Sequence, residues 1–92
     1  MRCRFEGSFT REERRAIRAR LRALDVAIEM LGIKEDNQWT VRHVAGPRGD
    51  EYVACHLRSG AVLWGATVRR LEREIAKTVT LLLAYREVCD DS

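Results

Sequence analysis

Arg11, Arg15, Arg18 and Arg22 recur at spacings of 4, 3 and 4, with Arg14 beside them. On a helix, residues three and four apart share a face, so this spacing predicts one stripe of guanidinium groups. Such groups bind carboxylates and phosphates through paired N–H bonds. The chemistry expected is therefore recognition of an anion rather than the making or breaking of bonds. The stripe also works against its own helix. Its basic end is the helix N-terminus, where the macrodipole is positive and each cation in the first turn costs roughly 0.3–1 kcal/mol. Like charges four residues apart repel as well. Glu12 and Glu13 offset part of this cost, and Asp25 and Glu29 continue the stripe at its far end. A surface chosen for stability alone would carry the opposite order. The plain alternative is a solvated face, which most charge runs are.

The other residues with chemical potential do not assemble. His43 and His56 are the only histidines, and Cys3, Cys55 and Cys89 the only cysteines. They show no Cys-x-x-Cys or His-x₃-His spacing, so neither a metal nor another cofactor is expected. Nucleophilic catalysis needs a hydroxyl or thiol beside a base that is oriented by an acid. Cys55 is expected in the core, and no acid stands beside either histidine. Gly46-Pro-Arg-Gly49 lacks the length and the lysine of a phosphate-binding loop. No catalytic residue is assigned, and the chain is not expected to be an enzyme.

The stripe must be held by a helix, and that helix is well marked. Thr10 and Glu13 have the spacing of a capping box. Ile17, Leu21, Leu24, Ile28 and Leu31 follow at spacings of 4, 3, 4 and 3, one apolar face of a helix over 11–31. Gly32 ends it in a left-handed cap, with Ile33 folding back on Ile28. Residues 34–38 read as a connection. Trp39–Ala45, Glu51–Arg58 and Ala61–Ala66 alternate as strands, separated by a turn at 46–50 and a Ser59-Gly60 turn. Centring the first turn on Arg48 pairs Trp39 with Leu57, Val41 with Cys55 and His43 with Val53. The second turn pairs Leu57 with Val62 and Cys55 with Trp64. Trp39, Val41, Val53, Cys55, Leu57, Val62 and Trp64 then share the buried face. Thr40, Arg42, Tyr52, His56, Arg58 and Leu63 form the wetter one, with His43 at the edge of the core.

A second helix begins after Thr67. Val68, Leu71, Ile75, Val79 and Leu82 form its main apolar stripe, and Leu81, Tyr85 and Val88 a second one. A helix on a small sheet needs only one such face. The second stripe is therefore either a homodimer contact or buried beneath the first helix. The reading is an α+β fold of order α-β-β-β-α, with both helices on one face of a three-stranded antiparallel meander. The alternative is two strands with a longer C-terminal helix, since Ala61, Trp64, Val68, Leu71 and Ile75 also share a helical stripe. Residues 1–92 make one domain, with 1–9 as an N-terminal extension, 10–32 helix, 39–66 sheet and 67–89 helix; the last three residues are a frayed tail. The helix–meander–helix order carries no functional weight alone.

Charge is distributed unevenly. The net charge is +3, but residues 1–24 hold eight Arg against three Glu, while residues 25–92 hold nine basic against eleven acidic residues. Fifteen of the seventeen basic residues are Arg, which a GC-rich genome also explains. No apolar run is long enough to span a bilayer, and the first residues lack an apolar signal core. With an odd cysteine count, a cytoplasmic chain with reduced thiols is expected. The function expected is a small binding protein presenting Arg11, Arg14, Arg15, Arg18 and Arg22 to an acidic protein partner. On base rates, such chains serve as accessory or inhibitory proteins of phages or mobile elements acting on a host complex. A nucleic-acid-binding protein using the same stripe is the first alternative, with Arg42, Tyr52 and Arg58 as a secondary surface. A structural dimerisation domain is the second, with Leu81, Tyr85 and Val88 as its contact.

Overall fold

A computed structural model describes residues 1–32 and 37–90, with the backbone alone for Cys89 and Asp90. The order is β1 (Arg2–Glu6), α1 (Arg11–Met30), β2 (Gln38–Gly46), β3 (Gly49–His56), β4 (Val62–Gly65) and α2 (Val68–Asp90). The strands form one sheet in the order β1-β2-β3-β4, with β1 parallel to β2 and the other neighbours antiparallel. The α+β class and the two helices agree with the sequence reading. A separate strand at residues 62–65 rules out the version with two strands and a longer last helix.

The capping box forms as its spacing implies. Glu13 N donates to Thr10 Oγ1 at 3.1 Å and Thr10 N donates to Glu13 Oε1 at 2.8 Å. Two of the orphan donors at the start of α1 are thereby satisfied. At the other end Gly32 has φ of +86° and donates to the Glu29 carbonyl at 2.9 Å. The packing of Ile33 on Ile28 and most of the 34–38 connection lie outside the described residues, as do Asp91 and Ser92 of the expected tail. Thr67 caps α2, accepting from Arg70 N through Oγ1 at 3.1 Å.

Two expectations are corrected. Residues 2–6 are not part of an extension but a fourth strand, paired with β2 from Arg2 opposite Gln38 to Glu6 opposite Arg42. Its signal is a short period-2 alternation, with Cys3 and Phe5 between Arg2, Arg4 and Glu6. The register between β2 and β3 is also one residue away from the expected one. Trp39 faces His56, Val41 faces Ala54 and His43 faces Tyr52, and Gly46 faces Gly49 to close a two-residue Pro47-Arg48 turn. No residue other than glycine has positive φ, and Gly49 has φ of +119°. Proline second and glycine fourth is the arrangement an ordinary type I turn prefers, so the turn needs one residue fewer than expected.

A slip of one reverses every side chain that follows. Between β3 and β4 the pairing moves by two, Cys55 opposite Val62 and Val53 opposite Trp64, so facing there is retained. The core consequently holds Trp39, Val41 and Ala54 of the sheet with Ile17, Leu21 and Leu24 of α1, Leu71 and Ile75 of α2, and Phe9. Tyr52 and Leu63 pack against it and His56 is buried, all three having been assigned to the wetter face. Leu57, Val62 and Trp64, assigned to the core, are 57%, 54% and 59% exposed. Both helices cover the inner face; among the described residues no element covers the outer face, although Thr40, assigned to the wetter face, is buried there between its neighbouring strands.

Candidate partner-binding surface

Helix α1 carries the stripe where its spacing puts it. Arg11, Arg15, Arg18 and Arg22 line one shallow groove with Ala19, and all four are exposed. Arg14 sits off this line, beside the Gly7–Thr10 loop and Glu13. Among the described residues no carboxylate forms an ion pair with any of the five; Glu6 instead meets Arg4 and Arg42, and Asp50 lies 3.2 Å from His43 Nε2. The Arg18 guanidinium lies over the Phe5 ring, 5.0 Å from its centre. This contact places the stripe above β1. Glu29 remains at the exposed end of the stripe, but Asp25 leaves it. Its side chain is buried and accepts from Trp39 Nε1 at 2.9 Å, and its second oxygen has no partner.

The strand beneath adds to the charge. Arg2 and Arg4 are exposed and lie on the opposite face of β1 from Cys3 and Phe5. Glu6 answers part of this, at 3.6 Å from Arg4 and 2.8 Å from Arg42. The edge of the sheet is thus flanked by α1 arginines on the helix side and by Arg2 and Arg4 on the bare side. Further across the bare face, Val53, Cys55, Val62 and Trp64 replace charge with apolar surface.

The secondary surface does not assemble. Arg42 is on the bare face and paired with Glu6. Tyr52 points the other way, stacked on His43 with ring centres 4.5 Å apart and edge-on to Phe9. Arg58 lies in the β3–β4 loop. Leu81, Tyr85 and Val88 are exposed along the last turns of α2 rather than buried beneath α1.

Sequence reasoning missed a polar chain at the end of the sheet. His56 Nε2 lies 3.0 Å from Asn37 Oδ1, and Nδ1 lies 2.7 Å from Ser59 Oγ. Since the amide oxygen can only accept, the proton is on Nε2, and Nδ1 accepts from the serine hydroxyl. A serine, a histidine and an amide in line resemble the parts of a nucleophilic site. Here, however, the local N–H groups that would hold an oxyanion are already used. Ser59 N donates to His56 Nδ1, Ala61 N to Ser59 Oγ, and Gly60 N to the His56 carbonyl. The arrangement braces the β3–β4 loop. Its only hint in sequence is the His-x-x-Ser spacing before Gly60.

Burial also decides the titration of two side chains. The Cys3 thiol is pushed up to about 11, chiefly by burial, with Arg18 pulling the other way and Asp25 adding to the rise. Burial raises Asp25 above the usual carboxylate range, opposed by the Trp39 hydrogen bond, the Met1 amine and His56. Among the described residues no three His, Cys, Asp or Glu side chains are placed to hold a metal ion, and no helix is long and apolar enough to cross a membrane. No family model matches the chain, and comparison with curated proteins and with solved structures finds no match either.

Proposed function

We propose that this protein is a binding module that docks an acidic protein surface on the arginine stripe of α1. The observation that carries the reading is that Arg11, Arg14, Arg15, Arg18 and Arg22 crowd one stretch of α1, with Arg11 and Arg14 in the first turn where the macrodipole disfavours cations, and have no carboxylate partner among the described residues. Ion pairs within the chain would have removed the cost of that clustering; an external anion removes it equally well. A protein partner is favoured over nucleic acid because the bare face, on the other side of the sheet from the stripe, combines exposed apolar Val62 and Trp64 with Arg2, Arg4 and Arg42. Arginine and tryptophan are the residue types that dominate protein interfaces. An accessory or inhibitory role toward a larger complex is consistent with a small chain that offers such a surface.

The test is a salt series with two fluorescent probes, a poly-glutamate peptide and a DNA oligonucleotide, on the native protein and on Arg15→Glu/Arg22→Glu. The expected result is binding of the peptide that the double variant loses while its circular dichroism is unchanged. Unchanged binding by the variant removes the reading. Preference for the oligonucleotide, with a log–log salt slope of about −4 for about five neutralised phosphates, replaces the protein partner with nucleic acid.

A further inference from the structure

We infer that β1 is an open docking edge, and that the acidic partner adds to it as an extended strand; this rests on the function proposed above. Strand β1 is the first in the sheet order and, among the described strands, has β2 as its one neighbour. Arg2 N donates to the Asn37 carbonyl at 3.0 Å. In a parallel ladder alternate residues bond to the same neighbour, so Arg2, Arg4 and Glu6 turn their backbone groups to β2. Cys3 and Phe5 turn theirs to the open side. Two N–H and two C=O groups are therefore available in the spacing that an added strand uses.

Charge decides what kind of strand fits. An extended chain sends alternate side chains to opposite faces. On the helix side of this edge the added strand meets Arg18, held over Phe5, in line with Arg15 and Arg22. On the bare side it meets Arg2 and Arg4. Carboxylates are matched on both faces, so a run of acidic residues in extended form is the complement. Charge on an edge strand also serves to prevent aggregation. For that purpose Arg2 and Arg4 suffice, and the four helix arginines above the same edge would be superfluous.

The experiment uses a peptide of Glu-Glu-Thr repeats, about ten residues long, which presents carboxylates on both faces of an extended strand, with the full chain. Cys3→Pro deletes an edge-facing N–H while leaving the β2 ladder untouched, and proline is tolerated on edge strands. Cys3→Val keeps that N–H and is the control. The expected result is peptide affinity about tenfold weaker for Cys3→Pro than for Cys3→Val, with the Cys3 and Phe5 amides gaining hydrogen-exchange protection when the peptide is added to native protein. A folded Cys3→Pro that binds like Cys3→Val overturns strand addition. Should Cys3→Pro fail to fold, the exchange measurement decides alone, and unprotected Cys3 and Phe5 amides overturn the proposal. Loss of binding in Arg15→Glu/Arg22→Glu with no amide protection leaves the acidic partner standing without the added strand. Binding indifferent to those arginines removes the acidic partner itself. An oligonucleotide that binds without protecting the amides also overturns strand addition.

Discussion

The two faces of the sheet share the same four strands but are stabilised differently. On the inner face Trp39, Val41 and Ala54 are closed over by Ile17, Leu21, Leu71 and Ile75, all fully or nearly fully buried. On the outer face Val62 and Trp64 are more than half exposed, and Arg2, Arg4 and Arg42 take the places nearest the β1 edge. Both sets contain strongly apolar residues, so hydrophobicity alone does not select the buried set. The helices cover one face only, and the Pro47-Arg48 turn decides which side chains of β3 and β4 lie on it. An apolar side chain stabilises this fold only if it is on the side where α1 and α2 lie.

That contrast is broken or sharpened most strongly by Ile75→Ala. The side chain is fully buried between α2 and the sheet, and its loss should cost about 2–5 kcal/mol in urea unfolding. A cost below about 1 kcal/mol would mean that the helix-covered face is not the core. Gly65→Ala comes next. A Cβ there would lie 2.5 Å from Leu71 N and 2.8 Å from the Arg70 carbonyl carbon, so β4 and α2 would have to separate. About 1–3 kcal/mol is expected, read in the same assay, and an unchanged midpoint would contradict the close approach.

Asp25 gives a smaller effect with a definite sign. Its folded pKa is raised by burial, so between the unfolded and folded values the native state holds more protons than the unfolded one. Stability of the native protein relative to Asp25→Asn should fall as pH rises from about 4 and level off above the folded pKa. A difference that grows with pH would mean the carboxylate is stabilised when charged. Cys3 should be alkylated by iodoacetamide at pH 8 about a hundredfold more slowly than a free thiol, since its pKa rises from 9.0 to about 11. Equal rates would place the thiol in water. The smallest effect is expected for Trp64→Ala, within about 0.5 kcal/mol in unfolding. A larger loss would show that the outer face is covered within the protein's own fold.

Legibility in sequence followed the range of the interaction. The capping box of Thr10 and Glu13, the apolar face of α1, the glycine stop at Gly32 and the Thr67 cap were all readable, because each depends on residues within about one turn. The arginine stripe was readable for the same reason. Asp25 was misplaced on that stripe because its partner, Trp39, lies fourteen positions away. Strand β1 was overlooked although its alternation is present. Five residues carry little signal until a second strand pairs with them, and parallel pairing requires the whole of α1 to intervene.

The amino-acid order by itself determined the two helices, the strand-rich middle and the grouping of five arginines on one helix, since local spacing and capping are enough for these. Only the tertiary structure decided which face of β3 and β4 is buried, that β1 forms the edge, and that the arginines stand above it. One residue in a turn reverses a strand, and the sequence allowed both turn lengths. The choice came from which closure of Gly46 through Gly49 the backbone accepts while burying Tyr52, Ala54 and His56 beneath the helices.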